Sequence, residues 1–356
     1  MTTLHDIALL RLVAQRIAAP PLPTAADAVR WLTAAQAQDL SGVLTSIALR
    51  TDGGTRAGIE AALNAGEVVR SWPMRGTLHL VAAEDLPWIL RLCAARVVAG
   101  SAGRRAQLDL DTPTLQRAGK LAVEALTGGH RLSREDLFAA WEAGGLATGG
   151  QRGYHMLGYL AQTGIVCFGP MRGSEQLVVL VDEWIGYPRA LEREEAAGEL
   201  AWRYFRSHGP ATVKDFTRWA NLVAPDVRAG LALARPRLAR VDADGVEYLL
   251  DPQTADLLRT CRRRAQGVFL LPGFDEYILG YTDRRAVVPA AFADRIVPGG
   301  NGMFRPTVIS DGQVVGTWKQ AGRGTKRAVD ATPFVAFSNE VAEAIPRVYA
   351  SPPYAR

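Results

Sequence analysis

One pattern of secondary structure is predicted three times along this chain: several short helices followed by a two-stranded ribbon. In the first copy the pattern predicts helices over Leu4–Ile17, Ala25–Ala35 and Leu40–Leu49, a helix after Thr55, and a strand over Thr77–Val81. Thr24 is the predicted N-cap of the second of these helices. Three helices followed by a ribbon is the order of a winged-helix unit, in which the third helix enters a DNA groove.

The second and third copies follow the same order. The second is predicted to contain a helix over Thr114–Leu126, a helix capped by Ser133, a helix over Gly150–Gln162 and a hairpin. The third is predicted to contain a helix over Leu191–Phe205, a helix capped by Thr212 with Asp215 three residues on, a helix ending near Ala234, and a ribbon turning at Asp244-Gly245. Three tandem units of this kind could line one continuous DNA-binding surface.

The chain changes character from about residue 266, where short strand-like runs alternate with turn residues such as Asp311-Gly312. This composition predicts a small β-barrel and a closing tail. The predicted fold is α+β and mainly α, with winged-helix units over residues 1–105, 106–186 and 187–260 and the barrel with its tail over 261–356.

Charge and composition exclude several classes of function. The net charge is +5, and only four of the 41 basic residues are lysine. Arginine forks match phosphate oxygens and guanine edges, although a GC-rich genome produces the same bias. The three cysteines and five histidines lack metal-ligand spacing, so we expect no metal and no cofactor. No apolar run reaches the ~18 residues that a membrane span needs, and we expect a soluble protein of the cytoplasm, associated with the nucleoid.

Four segments carry a resemblance to a known family: RSWPMRGTLHLV, HGPATVKDFTRW, LPGFDEYILGYTDR and GQVVGTW. In the same order along the chain, they resemble signatures of the tandem winged-helix DNA glycosylases, and are most similar to the antibiotic-resistance branch that acts on interstrand crosslinks. The resemblance implies a C-shaped protein with DNA in its concave face. It also implies excision of bulky alkylated purines, including the unhooking of crosslinks, in DNA repair or antibiotic self-resistance.

The resemblance implies a catalytic Gln-x-Gln motif, which Gln36 and Gln38 supply in the segment TAAQAQDLSG. A glutamine amide donates and accepts hydrogen bonds but takes no proton at neutral pH. Such a pair can orient water and stabilise charge, and suffices only where the leaving base is already cationic, as in N7- or N3-alkylated purines. Asp39 is a second candidate: its carboxylate could support the reaction, or it could cap the helix that begins near Leu40.

Further candidates for DNA contact are basic or polar. Arg75, Thr77 and His79 alternate along the predicted strand of the first unit and would share one face, with His79 as possible catalytic support. An ordinary exposed strand with a buried, hydrogen-bonded histidine explains the same pattern. The other candidates, each of which could equally be a solvated surface charge, are Arg152, Arg172, Arg305, Arg323 and Lys326.

The sequence is therefore best interpreted as a monofunctional DNA glycosylase that acts as a monomer on double-stranded DNA carrying alkylated purines or crosslinks. No lysine lies near the glutamine motif to form the Schiff base of a lyase. Two alternatives remain open: a non-enzymatic winged-helix regulator, and a protein that shields lesions without cutting. The regulator lacks a recognisable dimerisation helix or ligand module in this sequence, whereas the shield requires the same surface as the enzyme.

Overall fold

The structure is a computed structural model, and it describes residues 2–322 and 327–354. The α-helices are α1 Leu4–Ala14, α2 Ala25–Leu32, α3 Leu40–Ala48, α4 Arg56–Asn64, α5 Leu86–Gly100, α6 Ala102–Gln107, α7 Thr112–Leu126, α8 Arg134–Ala143, α9 Arg152–Gln162, α10 Val181–Trp184, α11 Arg193–His208, α12 Val213–Ala220, α13 Ala224–Ala234, α14 Gln253–Ala265, α15 Glu276–Leu279, α16 Ala293–Ile296 and α17 Asn339–Tyr349. The strands are β1 Ala35–Gln36, β2 Val68–Met74, β3 Thr77–Ala82, β4 Val166–Arg172, β5 Glu175–Leu180, β6 Ala239–Ala243, β7 Val246–Leu250, β8 Val268–Leu271, β9 Thr307–Ser310, β10 Gln313–Ala321 and β11 Ala328–Pro333.

The predicted order of elements is present in all three places. Helices α2 to α4 precede β2 and β3, helices α7 to α9 precede β4 and β5, and helices α11 to α13 precede β6 and β7. Capping residues set several of the helix starts. Ser133 accepts a hydrogen bond from the Asp136 backbone in a full capping box, and Thr212 does the same with Asp215. The predicted turn at Asp244-Gly245 is also confirmed, with positive φ at both residues.

Contacts divide the chain into two compact units that do not follow the sequence order. Unit 1 contains the chain up to Ile59, the segment Ala197–Trp219, and the chain from Val223 onward. Unit 2 contains Glu60–Ala196 with Ala220–Leu222. Whether three winged-helix units over the predicted boundaries describe this chain stays a prediction.

Within unit 2, the ribbons of the first and second predicted copies belong to one antiparallel sheet. Its strand order is β3-β2-β4-β5, and Arg70 of β2 lies opposite Phe168 of β4. The helices of this unit bury large side chains such as Trp88 and Trp141, and the Trp141 indole donates a hydrogen bond to the Ala118 carbonyl. Burial of these indole rings stabilises the unit, because the apolar ring surface leaves water while the indole N–H keeps a hydrogen-bond partner.

Within unit 1, the predicted β-barrel is wrong for the residues that the structure describes. The strands β8 to β11 form an open antiparallel sheet in the order β11-β10-β9-β8, so the first and last strands lie at opposite edges. Helix α17 covers one face of this open sheet, where its Val341 and Ile345 pack on Leu270 and Val308. Helices α1 and α14 contribute to another apolar cluster of this unit, which also contains Ile309 of β9.

None of the helices in the described ranges combines the length and the apolar character required to cross a bilayer.

Candidate active site

The Gln-x-Gln segment leaves the short strand β1 and enters helix α3. Gln36 is the second residue of β1 and is 9% exposed, whereas Gln38 and Asp39 are exposed in the turn before Leu40. The backbone N–H of Gln36 donates a 3.0 Å hydrogen bond to Oε1 of Glu276. The backbone of the first glutamine is thus held by Glu276, and the second glutamine lies at the surface.

Asp39 occupies the N-cap position of α3, as one of the two interpretations of the sequence predicts. Its side chain nevertheless makes no capping hydrogen bond. The carboxylate instead lies over the first turn, where a Cβ added at Gly42 would stand 2.8 Å from Asp39 Oδ2 and 3.2 Å from the Gly273 carbonyl oxygen. Glycine at position 42 therefore leaves room for the Asp39 carboxylate.

Glu276 is a buried carboxylate on which several donors converge, and sequence reasoning did not single it out. It is 1% exposed. Besides the Gln36 N–H, it accepts a 3.0 Å hydrogen bond from Nε1 of Trp219 at Oε2, and Nε2 of His208 lies 3.3 Å from the same oxygen. These four residues, Gln36, His208, Trp219 and Glu276, are called the Glu276 cluster below.

The imidazole of His208 is held on all sides. Its Nδ1 lies 2.8 Å from Oγ of Ser207, and that hydroxyl donates a 2.8 Å hydrogen bond to the Arg203 carbonyl. The ring stacks on Tyr204 with 4.8 Å between centroids and 12° between planes. His208 is completely buried, so its orientation is fixed by packing as well as by hydrogen bonds.

The neighbouring carboxylate, Asp275, fixes helix α3 to the same loop. Arg50 donates from Nη1 and Nη2 to the two carboxylate oxygens at 2.9 Å each, and Ser46 Oγ donates at 2.7 Å. Asp275 also caps α15 by accepting from the Tyr277 N–H. Adjacent acidic residues therefore hold the Gln-x-Gln segment on both sides: Glu276 holds the strand before Gln38, and Asp275 holds the helix after it.

A buried tyrosine extends this polar network. Gln15 donates to the Tyr281 hydroxyl at 3.0 Å, and the hydroxyl donates to the His208 carbonyl at 2.7 Å. The Arg11 guanidinium lies 3.6 Å from the Tyr281 ring centroid. Burial raises the pKa of Tyr281, so its hydroxyl remains a hydrogen-bond donor at physiological pH.

In unit 2, the predicted polar row of Arg75, Thr77 and His79 is not a row along one strand. Arg75 lies in the two-residue turn between β2 and β3, where it and Gly76 have φ values of 56° and 73°. Its Nη2 lies 2.8 Å from His79 Nε2, and His79 Nδ1 lies 2.9 Å from the Thr77 carbonyl. Because a guanidinium can only donate and a carbonyl can only accept, His79 is the neutral Nδ1–H tautomer here.

The burial of His79 agrees with the alternative that the sequence left open, a buried and hydrogen-bonded histidine. His79 is 0% exposed, and Thr77 is half-buried. Arg75 is half-buried as well. The alternation predicted an extended polar face on one strand, whereas the structure has the Arg75 guanidinium in contact with the His79 ring.

The remaining basic candidates differ in their surroundings. Arg152 begins α9 and donates to the backbone carbonyls of Ala147, Leu108 and Asp109, so its guanidinium holds loops together. Arg172 lies at the hairpin tip as predicted and is 56% exposed, but it pairs with Glu175 and Asp136. Arg305 is exposed.

Arg323 and Lys326 lie outside the described residues. In the described part of the chain no three His, Cys, Asp or Glu side chains converge in a group suited to a metal ion.

Comparison with known proteins defines the class. Residues 29–350 match the family described as DNA glycosylase AlkZ-like, and the chain belongs to that family. The predicted family resemblance is confirmed. Among individual proteins, the chain is 29% identical over 311 residues to the interstrand DNA cross-link repair glycosylase of Streptomyces sahachiroi, a match that covers 83% of this chain and 82% of that protein. The solved structure of the Streptomyces sahachiroi DNA glycosylase AlkZ aligns with a TM-score of 0.80 and 25% identity over 98% of this chain and 95% of that chain.

Proposed function

We propose that this protein is a DNA glycosylase that hydrolyses the N-glycosidic bond of cationic, N7- or N3-alkylated purines in duplex DNA, including purines joined in interstrand crosslinks. The observation that carries the proposal is the fixed Gln-x-Gln segment. Gln36 is held through its backbone by Glu276, and Gln38 is exposed two residues later. Membership of the AlkZ-like DNA glycosylases supports the same activity.

The proposed mechanism relies on positioning. Hydrolysis passes through an oxocarbenium-like state while water attacks the anomeric carbon. The amides of Gln36 and Gln38 orient that water and stabilise developing charge, but they take no proton at neutral pH. A general base would add about 10²–10⁴ in rate. The two glutamines cannot supply this general-base contribution. The proposed reaction therefore requires a leaving base that alkylation has already made cationic.

Hydrolysis without strand cleavage is the proposed outcome. A lyase needs an amine that forms a Schiff base with the sugar. The sequence has no lysine before Lys120, so none lies on the Gln-x-Gln segment or on helix α3 that follows it. The products are then a free alkylated base and an abasic site in an intact strand.

Winged-helix units are the proposed means of holding the duplex. Each of the three groups of helices ends in a ribbon, and the tip of one ribbon carries the exposed Arg172. In such units a helix enters a groove and the ribbon contacts the backbone. Arg75, Thr77, Arg152, Arg172 and Arg305 are the candidates that the structure describes for those contacts.

The test is a base-excision assay on duplexes that carry one N7-alkylguanine or one N7–N7 crosslink. Gln36→Ala and Gln38→Ala should each lower the single-turnover rate at least about tenfold, since each removes an oriented amide, while lesion-DNA affinity stays within about twofold. Gln116→Ala is the matched control, because this glutamine is exposed on α7. A wild-type protein that binds lesions tightly but releases no base would contradict the proposal and indicate a lesion-shielding protein.

The chemistry also predicts selectivity for charge. Duplexes carrying uracil or hypoxanthine offer neutral leaving bases, so their excision should be undetectable under conditions that remove N7-methylguanine. Efficient excision of uracil would require a base or acid that this mechanism lacks.

A further inference from the structure

We propose that Glu276 is a positioning residue for the Gln-x-Gln segment, which it holds through the backbone N–H of Gln36. This inference rests on the proposed function, because it concerns how the glutamines are held for that reaction. Glu276 is the second of the two adjacent acidic residues in the sequence GFDEY, which is part of one of the segments that carry the family resemblance.

The donors around Glu276 require a group that only accepts hydrogen bonds. The Gln36 N–H reaches Oε1, and the Trp219 indole N–H reaches Oε2. A buried amide side chain in the same place would turn an NH₂ group toward one of these donors. A buried donor that loses its acceptor costs about 1–3 kcal/mol. The geometry therefore specifies a carboxylate rather than any side chain of this size.

His208 is the polar neighbour that faces the buried Glu276 carboxyl group. Its Nε2 lies 3.3 Å from Oε2 of Glu276, and its Nδ1 lies 2.8 Å from the Ser207 hydroxyl oxygen. Both ring nitrogens therefore have polar partners, and the ring is held against Oε2, whereas the Gln36 N–H is bonded to Oε1. A buried polar group of this kind is stable only when such hydrogen bonds compensate its loss of water.

The consequence for the reaction is geometric. Glu276 does not need to touch DNA, since it acts on the backbone of Gln36 and, through two further residues of chain, on Gln38. A misplacement of about 1 Å in a catalytic constellation costs on the order of 10² in rate. Loss of the Glu276 anchor should accordingly slow the chemical step while leaving DNA affinity unchanged.

The experiment compares Glu276→Gln and Glu276→Asp with wild type on duplexes carrying one N7-methylguanine. Glutamine replaces one acceptor oxygen with an NH₂ group at constant size, whereas aspartate keeps both oxygens but is too short to reach Gln36. Both should lower the single-turnover rate about 10- to 100-fold, with lesion-DNA Kd within about twofold. Glu343→Gln, the same change at an exposed position of helix α17, should leave the rate unchanged.

A double-mutant cycle with Gln38→Ala separates positioning from general stability. If Glu276 acts through the glutamines, Glu276→Gln should add little to the loss already caused by Gln38→Ala, because coupled residues are non-additive. Fully additive losses would overturn the inference. If wild type excises the base and Glu276→Gln does so at the same rate, the inference about Glu276 is overturned and the proposed function stands. If wild type itself excises no base, the proposed function is contradicted.

Amide hydrogen exchange of wild type tests the anchor even where a variant fails to fold. The Gln36 N–H should be protected from exchange in the folded protein, because a buried carboxylate accepts it. Free exchange of this amide in wild type would overturn the inference directly.

Discussion

Arg50 and Asp275 form a two-pronged ion pair in which neither side chain is exposed at all. The residues are far apart in sequence, one just after α3 and the other the cap of α15. Their pairing joins the helix that follows the glutamines to the loop that supplies Glu276. The buried ion pair therefore helps to fix the backbone around the proposed site.

The first prediction concerns this pair. Asp275→Asn should lower the free energy of unfolding by about 3–5 kcal/mol, because removing one partner leaves the Arg50 charge buried without compensation. The matched control is Asp256→Asn, which breaks a pair with Arg259 whose side chains are 76% and 71% exposed. That change should cost less than about 1 kcal/mol. Urea unfolding of the three proteins measures both, and equal losses would contradict the structural role of the buried pair.

The second prediction concerns the salt dependence of DNA binding. Arg305 is exposed, so a phosphate contact there would contribute about −0.9 to the slope of log K against log salt concentration. Arg305→Ala should reduce the slope by about that amount. Arg172→Ala should change it much less, since Glu175 and Asp136 already offset the Arg172 charge. Binding titrations on undamaged duplex at several salt concentrations measure these slopes. A larger change of slope in Arg172→Ala than in Arg305→Ala would contradict the prediction and place the phosphate contact at the hairpin tip.

The third prediction concerns acid stability. Hydrogen bonds from the Ser133 side chain, and then from the Ser133 backbone, lower the pKa of Asp136. A carboxyl whose folded pKa lies below its unfolded value of about 3.9 stabilises the fold above that value, and the contribution is lost as pH falls through the folded pKa. Asp136→Asn should therefore lower the urea midpoint at pH 6, and the difference from wild type should shrink as the pH falls below the unfolded value of about 3.9. Glu135→Gln, which removes a charge from the same turn without those hydrogen bonds, is the control.

Local features of this fold were predictable because they depend on a few adjacent residues. The caps at Thr24 and Ser133 are both present, since a side-chain oxygen and a backbone N–H three residues on are all that a cap requires. The turn at Arg75 was not predictable in the same way. Positive φ at a residue with a side chain is uncommon, and alternation of polar residues in this segment favoured a continuous strand.

The Glu276 cluster escaped sequence reasoning for a different reason. His208 and Glu276 lie in two of the segments that carry the family resemblance, but neither segment shows which residue faces Gln36. Gln36 and Glu276 are separated by 240 residues, and no periodicity sets a pairing over that distance. The same limit explains the predicted barrel: strand-like runs predicted β8, β9, β10 and the last residues of β11, whereas no local pattern showed that β8 and β11 lie at opposite edges of an open sheet.

The last prediction separates the two interpretations of Asp39. A side chain that caps a helix contributes typically about 1 kcal/mol, as expected for Thr24, which accepts a 3.0 Å hydrogen bond from the Asp27 N–H. Asp39 stands at the N-cap of α3 without such a bond. Asp39→Ala should consequently leave the urea midpoint near that of wild type, whereas Thr24→Ala should lower it.

Excision kinetics of the same two variants complete this test. Asp39 is exposed next to Gln38, so its carboxylate is placed to stabilise a positively charged sugar in the proposed reaction. Asp39→Ala should slow single-turnover excision of N7-methylguanine about tenfold or more with unchanged stability, and Asp39→Asn should slow it similarly because the charge is lost. Thr24→Ala should show the opposite combination, reduced stability with a wild-type rate at a temperature where it is folded. A stability loss without a rate loss in Asp39→Ala would assign the residue to the helix cap alone.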